Sequence, residues 1–71
     1  MNKEQIKNLE DFLNERWQIA LATDEEMGNK DSVKFAPKNV DYAYYQGALD
    51  TIAFLGLDWK RGDSGKHKVF K

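Results

Sequence analysis

Apolar residues recur every three or four positions in the first third of the chain. They form one stripe along a segment whose other side is polar: Ile6, Leu9, Leu13, Trp17 and Ala20. This spacing is typical of an amphipathic α-helix with one buried face. Asn2 and Gln5 fit the start of that helix, because a capping asparagine and a glutamine three residues later satisfy each other's backbone N–H groups. The pattern therefore predicts a first helix over about residues 3–22.

The end of the first helix is less well defined by the pattern. Three carboxylates, at residues 24–26, stand where the negative end of a helix dipole disfavours them. Thr23 and Glu26 also fit a second capping box, so a separate short turn that stops at Gly28 resolves the conflict.

A connector rich in turn-forming residues follows over residues 29–38. Val33 and Phe35 are its two apolar anchors, and they form either a short strand or a loop pinned on the core. Pro37 prevents helix before it and so separates the connector from the next periodic segment.

The second helix is predicted over about residues 40–55. Asn39 supplies its N-cap, and the positions after it are helical in their apolar spacing. Gly56 stands where a helix ends in a left-handed residue, and Leu57 can then fold back on Ile52. This is the best-defined boundary in the sequence.

The second helix is apolar on two sides. One stripe contains Tyr42, Tyr45, Leu49 and Ile52, and the other contains Val40, Tyr44, Gly47, Thr51 and Phe54. A helix of this kind is expected to be sandwiched, either by the connector with the C-terminal hairpin or by another copy of the chain. Tyrosine and phenylalanine give large contact areas, so the candidate partner-binding residues are Tyr42, Tyr44 and Phe54.

The last segment has the pattern of a β-hairpin, with strands over about residues 57–61 and 67–70. A three-residue loop over residues 63–65, with Gly65 in the left-handed position, pairs Trp59 with Val69 and segregates the apolar residues. A four-residue loop is the alternative, but it would pair Trp59 with Lys68.

These elements predict one small α+β domain spanning residues 1–71. Two antiparallel helices are joined by the connector, and the hairpin packs on them because an isolated hairpin is marginal in water. A chain of 71 residues without cysteine has a thin core and no disulfide, so helix packing must stabilise it. The absence of a long apolar run and of a signal peptide predicts a cytoplasmic protein that does not enter membranes.

Charge is divided unevenly along the chain. Residues 1–58 hold eleven acidic and six basic side chains, whereas residues 59–71 hold five basic side chains and one acidic. A basic ribbon beside aromatic residues can bind phosphates and unpaired bases, so the candidate anion-binding or nucleic-acid-binding residues are Lys60, Arg61, Lys66 and Lys68. The acidic remainder, with an overall pI of about 5.7, opposes polyanions.

His67, the single histidine, is the first candidate for catalysis. It lies between Lys66 and Lys68 and opposite Arg61, so a further positive charge on it is disfavoured. No serine, cysteine or carboxylate is placed beside it by the predicted register. The default interpretation is therefore an ordinary strand residue.

Two other motifs are too weak to indicate chemistry. The acidic run at residues 24–26 lacks the ligand spacing of a metal-binding loop, and "GDSG" at residues 62–65 lacks the strand-to-helix elbow of a nucleophilic serine. We therefore predict a non-enzymatic protein with no catalytic, cofactor-binding or metal-binding residue.

The segment "YYQGALDTIAFLGLDW", followed by "GKHKVF", resembles the second half of many short uncharacterised proteins of phages and prophages of Gram-positive bacteria. The likeness covers about 30 residues, from Tyr44 to Phe70. It implies a small accessory protein that binds a macromolecular partner, with inhibition of a host system as one conceivable role. The predicted function is thus binding of a protein partner, with a homodimer as an addition and nucleic-acid binding by the hairpin as the alternative.

Overall fold

Capped helices and a tight turn define the architecture of this chain. The computed structural model describes residues 1–31 and 34–71, so Val33 of the predicted connector lies outside the described residues. Over the described ranges the chain forms helices α1 (Lys3–Glu26) and α2 (Val40–Phe54), then strands β1 (Asp58–Arg61) and β2 (His67–Phe70). The predicted α+β fold is confirmed.

Helix α1 continues to Glu26 instead of ending near residue 22, so the predicted separate turn is wrong. Its late carboxylate, Asp24, is buried and accepts hydrogen bonds from Asn39 Nδ2 at 2.7 Å, from Ala36 N at 3.1 Å and from Asn29 Nδ2. Burial alone would raise the pKa of Asp24, but these hydrogen bonds hold it below its usual value. The donors offset the repulsion of the helix dipole, and the helix continues.

Both helices end in the same backbone motif. A glycine in the left-handed region follows each cap residue, Gly28 with φ 75° and Gly56 with φ 80°. The residue after each glycine donates its N–H to a carbonyl one turn back, Asn29 to Asp24 and Leu57 to Ile52. The predicted stop of α2 at Gly56 is therefore confirmed.

Asn39 joins the two helices. Its Oδ1 accepts from Tyr42 N at 2.9 Å and so caps α2, while its Nδ2 donates to Ala20 O at 2.9 Å and to Asp24. The start of α2 is thereby held against the last turns of α1, and α2 runs back along α1 to bring Tyr44 beside Phe12. The helices are antiparallel, as predicted.

The hairpin has the register predicted for a three-residue loop. Trp59 pairs with Val69 and Arg61 with His67, and Gly65 has φ 81°. The buried apolar core brings together residues from both helices and the hairpin, with Trp59 packed at its margin: Leu13, Tyr45, Ile52, Leu57 and Val69. The hairpin therefore covers one side of the helix pair.

Side chains of α1 bond to the outer edge of β2. Asn14 Oδ1 accepts from His67 N at 2.8 Å, and Glu10 Oε2 accepts from Val69 N at 2.8 Å. Glu10 and Asn14 are four residues apart on one helix face, and they match alternate N–H groups on the strand. These bonds fix the hairpin to α1 and satisfy two edge donors that would otherwise attract another strand.

Replacing Asn39 with alanine should destabilise the fold strongly. A lost N-cap costs about 0.5–2 kcal/mol, and a buried group left without its partner costs about 1–3 kcal/mol. We expect the free energy of unfolding in urea to fall by roughly 2 kcal/mol or more. Asn39→Ser keeps a capping oxygen and should lose less, because it lacks only the bonds to α1. An Asn39→Ser variant as stable as the wild type would show that the bonds to α1 contribute nothing.

Candidate functional site

The outer face of α2 is apolar and uncovered. Its side chains recur at helical spacing, and the largest are well exposed: Phe54 is 91% exposed, Val40 74% and Tyr44 55%. The connector and the hairpin lie on the other side, where Tyr42, Tyr45 and Ile52 are packed. Two coverings were expected for this face, and the first of them, by the connector and hairpin, is not supplied by the described residues of those segments.

A shallow groove of about 530 Å³ adjoins this face. It lies between α1 and α2, and its lining is mainly apolar: Leu9, Phe12, Tyr44, Gly47, Ala48, Thr51 and Ile52. Gly47 leaves the helix backbone bare there, because a Cβ placed on it meets no described neighbouring atom within 4 Å. The groove and the outer stripe of α2 form one continuous surface, which we call the α2 face.

Contacts from α1 fix the orientation of Tyr44. The ring of Phe12 lies 6.1 Å from the Tyr44 ring, and the Arg16 guanidinium lies 4.1 Å from the Tyr44 ring centroid. Arg16 is itself held by Asp41, whose carboxylate is 3.3 Å from Nη2. Tyr44 is therefore exposed but ordered, and it loses little conformational entropy on contact with a partner.

The three predicted partner-binding residues do not share one surface. Tyr44 and Phe54 lie on the α2 face, whereas Tyr42 is half-buried and stacks on Phe35 with ring centroids 4.0 Å apart. Tyr42 also lies against Tyr45, 6.0 Å between centroids. Tyr42 packs the connector onto the core, and only the other two are placed to meet a partner.

The four predicted anion-binding residues divide in the same way. Lys60 and Lys68 are exposed and directly opposite each other across the hairpin, and Lys66 is exposed nearby. Arg61 is exposed too, but its guanidinium is engaged by the protein and lies 3.9 Å from the Trp17 ring centroid. Three lysines thus remain on the outside of the hairpin.

Carboxylates lie close to these lysines. A surface depression next to β2 is lined by acidic and basic side chains together: Lys7, Glu10, Asp11, Asn14, Lys66, His67 and Lys68. Asp11 pairs with Lys7 at 3.0 Å, and Glu10 accepts from the backbone of β2. The basic end of the sequence is therefore folded against acidic side chains of α1, which weakens its attraction for polyanions.

His67 is the centre of a hydrogen-bond network of side chains, a feature that the sequence did not reveal. It is 2% exposed; its Nδ1 lies 2.9 Å from Asn14 Oδ1 and its Nε2 lies 2.6 Å from the Tyr45 hydroxyl. Because Asn14 Oδ1 can only accept, Nδ1 carries the proton and Nε2 accepts from Tyr45. Arg61 Nη1 completes the network by donating to the Tyr45 oxygen at 3.2 Å.

This hydrogen-bond network keeps His67 neutral. Burial lowers the pKa of His67, and the nearby positive charge of Arg61 lowers it further. Burial also raises the pKa of Tyr45, so the phenol keeps the proton that it donates to His67. Each group is engaged in holding the hairpin on the helices, and the arrangement is that of a structural network.

In the described part of the chain, no group of three or more histidine, cysteine or acidic side chains could hold a metal ion. Of the helices in residues 1–31 and 34–71, neither is long and apolar enough to cross a membrane.

Comparisons with protein-family models, with curated proteins and with solved structures gave no match. The resemblance to small phage proteins therefore stays a prediction, and the function has to be argued from the surfaces of the molecule.

Acidification should destabilise the fold through His67. In the unfolded chain His67 binds a proton near pH 6.5, whereas in the folded chain its pKa is lower. The contribution of neutral His67 to stability is therefore present above about pH 6.5 and is lost as the pH falls below that value. Urea denaturation between about pH 7.5 and pH 5 should show this decline. His67→Gln, which cannot titrate, should be less stable, but its free energy of unfolding should depend less on pH. The same dependence on pH in both proteins would contradict the assignment of the decline to His67.

Gly47 is expected to reduce the stability of the isolated chain. Interior helical glycine costs about 0.5–1 kcal/mol relative to alanine, and the site has room for a Cβ. Gly47→Ala should therefore raise the free energy of unfolding by roughly that amount, measured by urea denaturation at low protein concentration. A loss of stability would instead reveal a close contact at this position within the chain.

Proposed function

We propose that this protein acts by binding a protein partner through the α2 face. The single observation that carries the proposal is the exposure of Val40, Tyr44 and Phe54 along one side of a helix whose other side is already packed. Single exposed apolar residues are ordinary on soluble proteins, whereas large contiguous apolar patches are typical of interaction sites.

The make-up of the α2 face supports a protein partner over a small ligand. Aromatic side chains supply contact area, and Gly47 with its shallow groove gives a partner side chain a place to insert. The surface is open and elongated along the helix, which suits a helix or an extended segment better than an enclosed small molecule.

Nucleic-acid binding by the hairpin is the second candidate. The observation in its favour is the pair Lys60 and Lys68, because like charges directly opposite on a hairpin are destabilising and call for another reason to be there. Against it, the Arg61 guanidinium is already engaged by Trp17 and Tyr45, and Glu10 and Asp11 line the same depression as Lys66 and Lys68. The protein-binding proposal therefore has the stronger support.

Phe54→Lys should abolish capture of the partner without changing the fold. The side chain is almost wholly exposed, so its replacement costs the fold little, whereas a charge brought into an apolar contact is costly. The measurement is an affinity pulldown from the native host with mass-spectrometric identification, in which the tagged chain captures proteins or untagged copies of itself. Nuclease treatment should leave that capture unchanged.

Ala53→Lys is the matched control. Ala53 precedes Phe54 in α2 and is also exposed. The substitution therefore adds the same charge about 100° around the helix from Phe54. It should capture partners as the wild type does. Equal loss in both variants would point to general charge effects, and capture that disappears with nuclease or in Lys60→Gln/Lys68→Gln would assign the function to the hairpin.

A further inference from the structure

We infer that the occupant of the α2 face is the α2 face of a second copy, in antiparallel, two-fold symmetric contact. The inference rests on the proposed function, because it names the partner of that same surface. It requires a surface that is complementary to itself, since a residue that meets another across a two-fold axis must be met by it in return.

The α2 face has this symmetry about Gly47, which is the middle residue of the helix Val40–Phe54. An antiparallel contact centred there places each residue before Gly47 opposite the residue equally far after it in the other copy. The end residues then pair as large with large, Val40 with Phe54, and the inner residues as small with small, Ala43 with Thr51. All of these residues are exposed.

The middle of the face allows two helices to approach closely. Gly47 meets Gly47 on the symmetry axis, and no described atom lies within 4 Å of a Cβ placed there. The Thr51 hydroxyl donates to Gly47 O within its own helix at 3.0 Å, so it brings no unsatisfied donor into the contact. Bare backbone at the crossing point, with bulk at both ends, fits two helices packed directly together.

Charge favours the antiparallel arrangement. The dipoles of two neighbouring helices attract when the helices run antiparallel and repel when they run parallel.

Sedimentation equilibrium of the full chain tests the inference. One helix face buries less than a standard interface, so we expect a dimer that forms at roughly micromolar concentration, with mass rising from 8.2 kDa towards twice that value. Phe54→Lys should raise the dimer dissociation constant at least about tenfold, and Ala53→Lys should leave it unchanged. Circular dichroism establishes that both variants are folded.

Single cysteines test the register, because the chain has none of its own. Gly47→Cys should oxidise to a covalent dimer by itself. Ala43→Cys should not, because eight residues at about 1.5 Å per residue separate it from its own mate, beyond the roughly 7 Å span of a disulfide. A mixture of Ala43→Cys with Thr51→Cys should form the mixed dimer, which mass spectrometry distinguishes.

Each outcome decides the inference. A wild type that stays monomeric up to about millimolar concentration overturns it; so does self-linking of Ala43→Cys, which would mean a parallel contact. A further outcome is a monomeric chain that still captures another protein, in a way that depends on Phe54 and resists nuclease. In that case the inference of a second copy is wrong and the proposed protein-binding function stands. If neither self-association nor capture occurs, both are wrong.

Discussion

The bonds of Asn39 to α1 are the constraint on which the rest of the structure depends. Asn39 is 2% exposed, and its amide caps α2 while donating to Ala20 and Asp24. This fixes where α2 starts and which of its sides meets α1. Hydrophobic burial is limited at this chain length, so polar bonds of this kind contribute much of what determines how the helices pack. The same constraint leaves the Val40-to-Phe54 stripe outside.

A second polar anchor holds the hairpin. Asn14 and Glu10 of α1 bond to the edge of β2, and a hydrogen-bond network leads from the exposed Arg61 to the buried Tyr45 and His67. The outer N–H groups of β2 are therefore bonded to α1. The exposed lysines of the hairpin lie near carboxylates of the same helix. The two anchors together explain why the apolar side of α2, and not the basic hairpin, is the surface left over for a partner.

Features set by neighbouring residues could be predicted from the sequence. The capping residues, the stop at Gly56 and the hairpin register set by Gly65 each depend on chemistry within a few positions. The burial of Asp24 and the role of Arg61 could not, because their partners are distant in sequence and only the fold brings them together. The candidate site could be predicted only in part. The periodicity of apolar residues indicated the α2 stripe, but it did not show that Tyr42 packs inward or that the stripe stays uncovered.

The central claim, that two copies of the chain meet through the α2 face, is tested most directly by an NMR dilution series. Backbone amide shifts recorded from low to high protein concentration locate any self-contact residue by residue. The account predicts that the concentration-dependent shifts cluster on the outer face of α2, around Gly47 and towards Val40 and Phe54, with the hairpin lysines unchanged. Shifts confined to the hairpin, or spectra independent of concentration, would contradict it.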